Sequence, residues 1–221
     1  MFRSRRRPVV FSQADHARFS AAIAAVWGNE QFELPPLDLV SFIRGVALHD
    51  RGYGELDTDG IAEVSDERWI EIQRESFRPR GEDPVVDLVV ALHVHRLVSR
   101  GRRAEDDALV AAMEETLLDL RTVSRVGEAE ALAADSITDL CDRVAFDVCF
   151  EEPSAWTRPV LPRQSAPAVE VAFSFDGMGG VTLDPWPLGI PWLRAVLVGF
   201  AADGYPDRPE PVIEPILIRP S

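Results

Sequence analysis

The chain has 221 residues, enough to bury one good core with room for a small appendage. Its apolar (46%) and charged (27%) fractions are those of an ordinary soluble globular protein. A net charge of -14 argues against nucleic acid as a bulk partner, because phosphate binding relies on a basic face, and admits a small anionic substrate only where a metal or a few arginines supply local positive charge.

The first residues are arginine-rich (Arg3, Arg5, Arg6, Arg7), but no apolar segment follows as it would in a secretory signal. No stretch reaches the apolar length of a membrane span. The expected location is therefore cytoplasmic. The basic tip is expected to be solvated or to lie against an acidic partner surface. Ser12-Gln13-Ala14-Asp15 reads as a capping box, and His16, Phe19, Ile23 and Val26/Trp27 follow at steps of three and four. They predict one helix ending near Gly28, with His16 facing inward. Asp15 could orient that imidazole, although the cap alone explains it.

Pro35-Pro36 breaks the chain, and Asp38 can cap a second helix running to about Leu48. His49 and Asp50 stand at its end. Adjacent helical residues diverge by about 100°, so this pair can converge on one ion only where the helix is ending or another closes over it. Gly52 and Gly54 permit a sharp exit. The acidic loop with Glu55, Asp57 and Asp59 reads as a solvated turn, with Asp57 the residue to watch near a site. Ser65 to Phe77 predicts a short amphipathic helix. Asp83 and Pro84 open another, with Val85, Leu88, Val89 and Leu92 inward. His93 adjoins that stripe, whereas His95 lies about 200° round and faces out.

Glu105 to Arg125 and Glu128 to Phe150 read as two further helices. Cys141 and Cys149 share the second, about 12 Å apart and too distant to bridge, and read as small buried hydrophobes. Asp142 flanks the buried stripe of that helix. An Asp so placed needs a partner, either a metal or a salt bridge to Arg143 or Arg96. Proline becomes dense after Glu152. The alternation Val169, Val171, Phe173, Phe175 has the period of a strand, Gly177 to Gly180 is a turn, and Trp192–Ala201 and Val212–Ile218 read as further strands. The expected fold is mostly α. Residues 1–152 form a helical metal-binding bundle, and residues 153–221 form a Pro-rich linker and a small antiparallel β unit packed on it as part of one domain. Asp184-Pro185-Trp186-Pro187 is a rigid loop whose Trp could line a pocket or be structural.

The histidines number only four: His16, His49, His93 and His95. All lie on or beside apolar helix faces, and imidazole with carboxylate is the donor set that borderline divalent metals prefer. No phosphate-binding loop, nucleophile elbow or Cys-x-x-Cys pair is present. Gly177-Met178-Gly179-Gly180 lacks the following helix a phosphate cradle needs.

The order His16, His49-Asp50, His93, Asp142, each on a different predicted helix, resembles that of the HD-domain superfamily, named for its adjacent His-Asp pair. It resembles in particular an uncharacterised bacterial family related to that superfamily. Its local signatures are Gln13-Ala14-Asp15-His16-Ala17, His49-Asp50-Arg51-Gly52-Tyr53, Ala91-Leu92-His93, Leu140-Cys141-Asp142-Arg143 and Asp184-Pro185-Trp186-Pro187. The resemblance implies an all-helical core around a divalent metal (Mn, Fe, Mg, Ni or Zn), whose bound water attacks a phosphorus ester. By position, His16, His49, Asp50 and Asp142 would be ligands, with His93 on a second metal or on a substrate phosphate. Two-metal members show two separated histidines before the last Asp; this chain departs from that pattern, with His93 and His95 on one helix. Glu55 and Asp57 stand outside the matched motifs as candidate catalytic carboxylates. Arg51 and Arg96 are the candidates for steering an anionic substrate past the acidic surface.

The leading expectation is thus a metal-dependent phosphohydrolase acting on a small anionic substrate, a phosphate ester or nucleotide. No membrane or bulk nucleic acid is expected as partner, and a homodimer is the candidate assembly. The alternatives are a metal- or ligand-binding module without hydrolysis and an iron-dependent oxygenase on the same scaffold.

Overall fold

Capping and apolar periodicity place the helices. The computed structural model describes residues 1–57, 65–100, 107–163 and 166–221, with the side chains of Glu55 and Asp66 outside that set. Helix α1 (Gln13–Ala24) starts where the Ser12 hydroxyl accepts the Asp15 amide at 3.0 Å and donates to the Asp15 carboxylate at 2.6 Å. Helix α2 (Leu39–Ala47) starts on Asp38, which accepts the Ser41 amide at 2.9 Å. Then come α3 (Asp66–Phe77), α4 (Pro84–Arg100), α5 (Asp107–Ser124) and α6 (Glu128–Phe150). Each buries its apolar stripe; Leu88, Val94 and Val98 of α4, for instance, pack on Val110, Met113 and Leu117 of α5. Cys141 and Cys149 are free and buried.

The mostly helical bundle with a small antiparallel β unit does not form. Strands β1 (Phe2–Arg3), β2 (Val9–Phe11), β3 (Ser154–Val160), β4 (Val169–Phe175), β5 (Gly180–Asp184), β6 (Leu193–Ala201) and β7 (Pro211–Pro220) build a single seven-stranded sheet. Its order is β1-β2-β6-β7-β5-β4-β3, antiparallel throughout except that β5 and β7 run parallel. The fold is therefore α/β, not all-α, and both ends of the chain enter one mixed sheet. Its inner face, with Phe11, Phe173, Leu183, Leu197 and Ile218, shares one apolar core with Phe19 and Ile23 of α1 and Leu140, Val144 and Val148 of α6.

The missing strands have physical reasons. β1 and β2 are too short, at two and three residues, to display a period. β3 contains Pro159 and sits at the sheet edge, where a missing N–H leaves no ladder bond unmade. The expected strand over Val212–Ile218 does form, as β7, and its Pro215 precedes Leu217, where pairing with β5 begins, so that side of the strand is still open at the proline. The arginine tip is not a free solvated tip either. Arg7 Nε donates to both Glu151 oxygens (3.0 and 2.8 Å), Arg6 reaches Glu151 at 3.3 Å, and Arg5 pairs with Glu152. Among the described residues no helix is long and apolar enough to cross a membrane.

Candidate metal centre

Helices α1, α4 and α6 and the turn after α2 bring five of the predicted residues to one buried point. His16 lies on the inner face of α1, one turn from the cap, and is 1% exposed. Helix α2 stops at Ala47, and Leu48 has already left helical geometry (φ -116°, ψ 7°). His49 and Asp50 therefore stand in the turn after the helix, where both side chains can point inward. Two glycines allow the close approach this needs. A Cβ on Gly45 would lie 2.6 Å from Val89 Cβ, so α2 presses against α4 there. A Cβ on Gly52 would lie 2.4 Å from Ser76 Cα, so the turn presses against α3.

The donor atoms converge. His16 Nε2 is 2.9 Å from Asp142 Oδ1 and 3.7 Å from Asp50 Oδ2. His49 Nε2 is 3.5 Å from each of the same two oxygens. His93 Nε2 is 3.3 Å from Asp50 Oδ1. Two sets could hold a metal, His16/His49/Asp142 and His49/Asp50/His93, each with ligand atoms within 4.8 Å of one another.

Hydrogen bonds at the far side of two rings separate their roles. His49 Nδ1–H donates to the Val46 carbonyl at 2.6 Å, so that in the neutral ring the lone pair is on Nε2. That atom is buried and makes no hydrogen bond among the described residues. On His93 the order is reversed. Arg96 donates to Nδ1 at 2.9 Å, so the neutral ring carries its proton on Nε2, which is also buried without a hydrogen bond. The Nδ1 of His16 faces the Cys149 thiol at 3.9 Å.

Electrostatics favours a positive charge here. Burial works against ionisation of Asp142, but His16 and His49 hold its carboxyl well below the usual carboxylate range. Burial likewise opposes Asp50, and His49, His93 and His16 lower it. For His49, burial pushes down, yet Asp50 and Asp142 push it up to about 9. Burial and the neighbouring His49 push His93 down. Two ionised carboxylates thus face buried imidazoles.

The other predicted residues lie outside this cluster. Arg51 donates to Asp87 at 2.8 Å and to the Arg78 carbonyl at 3.0 Å, turned away from the centre. Arg96 backs the cluster rather than opening into it: besides His93 it contacts Asp135 and, at 3.1 Å, Asp139. It is 3.7 Å from Asp142, whereas Arg143 pairs with Asp147. Asp57 accepts the Gln13 amide at 2.9 Å, and burial raises its pKa. Glu55 lies in the same short 3-10 turn, and its side chain is outside the described residues. His95 is outward, beside Glu114 at 3.9 Å. Trp186 is structural, its Nε1–H donating to the Ile190 carbonyl at 2.7 Å.

Above the cluster opens a cavity of about 240 Å³. Its floor is His16, Asp50, His93 and Asp142, with Gln13 beside them, and its walls are Phe2, Tyr53, Leu56, Trp69, Leu97 and Phe146. The sequence reading gave these walls no role. Gln13 and Tyr53 were nevertheless visible in it, since both belong to the short signatures around His16 and His49. The Tyr53 hydroxyl donates to Gln73 at 2.7 Å, and burial raises its pKa.

No match is found among curated proteins or among solved structures. A family sequence model described as "Protein of unknown function (DUF3891)" matches residues 2–193, from β1 to the start of β6, and so takes in the whole cluster. On that span the chain belongs to the DUF3891 family.

Proposed function

We propose that this protein is a metal-dependent hydrolase of phosphate esters, with one divalent ion held by His16, His49, Asp50 and Asp142 in the manner of the HD-domain superfamily that its sequence resembles. The observation that carries the reading is His49 Nε2. It is buried without a hydrogen-bond partner among the described residues, it is the nitrogen freed for a metal when the ring gives up a proton because Nδ1–H stays on the Val46 carbonyl, and it lies 3.5 Å from two carboxylates. Two imidazoles and two carboxylates suit Mn, Fe, Ni or Zn, and Mg less well. When bound, such an ion supplies Lewis acidity and lowers the pKa of a water toward neutrality.

The chain's own residues do the rest. Asp50 and Asp142 offset the charge of a divalent ion. Val46 and Arg96 fix the His49 and His93 rings. His93 takes no part as ligand in this reading, because its Nε2 carries a proton; it offers that N–H to a substrate oxygen at the cavity floor. Phe2, Trp69 and Phe146 limit access of bulk water. In the net reaction the water oxygen bonds to phosphorus and the ester P–O bond breaks. One water proton leaves on the alcohol and the other stays on the phosphate.

Elemental analysis of the purified protein beside a His49→Ala variant tests the site. Metal in the parent and none in the variant is expected; equal metal in both would remove His49 from the ligand set. Turnover is then sought on phosphomonoesters, phosphodiesters and nucleotides. A metal-loaded parent inert on all of them would reduce the protein to a binding module.

A further inference from the structure

We infer that the cavity takes small, singly charged esters bearing one flat apolar ring, and that it disfavours polyphosphates. The inference rests on the proposed metal site and adds to it the identity of the substrate class.

The first observation is the wall. Phe2 comes from β1, Tyr53 and Leu56 from the turn after α2, Trp69 from α3, Leu97 from α4 and Phe146 from α6. Five separate parts of the chain contribute only apolar or aromatic surface. The Tyr53 hydroxyl is already engaged by Gln73. Trp69 and Phe146 are only half-buried and Leu97 is exposed, so they form the rim. Aromatic walls bind a flat ring by offset or edge contacts as well as by burial. A cavity of about 240 Å³ has room for one ring and one tetrahedral group.

The second observation is the charge around it. No Lys or Arg lines the cavity among the described residues, and the sequence contains no lysine at all. The nearby arginines are committed elsewhere: Arg51 to Asp87, Arg96 to Asp135 and Asp139, and Arg143, stacked 5.2 Å over Phe146, to Asp147. At the floor, two carboxylates cancel one divalent ion. One phosphoryl charge can be met by the ion and by His93 N–H. Each further phosphate would lie against hydrocarbon without the guanidinium forks that polyphosphate sites use.

The test is calorimetric binding to the metal-loaded full chain. Methyl phenylphosphonate and methyl methylphosphonate carry the same single charge and differ only in the ring; phosphoglycolate is a small polyanion without one. The ring compound is expected to bind roughly tenfold or more tightly than its methyl counterpart, from the apolar area buried. Trp69→Ala should erase most of that difference while leaving metal content unchanged. Phe146→Ala serves if the first variant fails to fold. Equal affinity for the two phosphonates, or tighter binding of phosphoglycolate, would overturn the inference. Hydrolysis is read separately. Ring preference without turnover sinks the proposed reaction and leaves this inference standing; turnover with a preference for polyanions does the reverse.

Discussion

Two buried clusters of charge lie side by side along α4 and α6, and they are built on opposite rules. In one, Asp135 and Asp139 meet Arg96, Arg100 and Arg158. Arg100 grips Asp139 with two bonds of 2.8 Å, and Arg96 and Arg158 approach it at 3.1 and 3.3 Å. In the other, Asp50 and Asp142 are met mainly by imidazoles, at 2.9 to 3.7 Å, with the single guanidinium of Arg96 at 3.7 Å from Asp142. A guanidinium is always charged and never offers a lone pair. An imidazole can lose its proton and become a ligand. The chain has placed permanent cations where the helices must stay joined to β3. It has placed replaceable protons where a cation from outside can enter.

The largest effect should come from breaking the permanent cluster. Arg96→Met leaves Asp135 and Asp139 with less compensation inside the protein, and breaking a buried pair in this way costs about 3–5 kcal/mol. Urea unfolding of parent and variant reads it, and a loss under about 1 kcal/mol would place the cluster with surface ion pairs instead. Arg96 donates no lone pair, so the variant, where it folds, should still take up metal.

The second effect belongs to the replaceable cluster. In the parent, a divalent metal at about a hundred times its Kd should raise unfolding free energy by about 2.7 kcal/mol. In Asp142→Asn, one of the two cancelling charges is gone, and most of that gain should vanish. Thermal unfolding with and without metal separates the two proteins. An undiminished gain in the variant would mean that the ion sits elsewhere.

How far the sequence foretold this contrast depends on which residues are considered. Ser12, Asp38 and Asp83 announce helix starts, because a cap is a local device. The His49-Asp50 pair at a helix end was legible for the same reason. The sheet was not. β1 is held by β2 and β2 by distant β6, and the proline of β3 is tolerated only because its side of the ladder is open. From the sequence Arg96 is a candidate both for steering an anionic substrate and for a salt bridge to Asp142. Its partners Asp135 and Asp139 lie on another helix, at a separation no periodicity reveals. The cavity walls were hidden in a different way. Phe2, Trp69 and Phe146 have the composition of any core, and only their common exposure to one space makes them a wall.

The smallest effect concerns acid, and it isolates the first cluster. Burial works against ionisation of Asp139, but Arg100, then Arg96 and Arg158, hold its pKa below the ordinary carboxylate value. A carboxylate depressed in the folded state gives stability that is complete above its unfolded pKa, about 3.9, and drains away as pH falls through the folded value. The parent should therefore lose part of its stability as the pH drops below about 4. In Arg100→Gln, Asp139 titrates nearer its unfolded value, so stability at neutral pH is lower and the further loss in acid is shallower. Arg100 is half-exposed, which keeps this difference below the effect of removing buried Arg96. Urea midpoints followed from neutral pH into acid for both proteins measure it. Parallel curves would show that Asp139 draws its low pKa from Arg96 and Arg158 alone, and the permanent cluster would then be smaller than its contacts suggest.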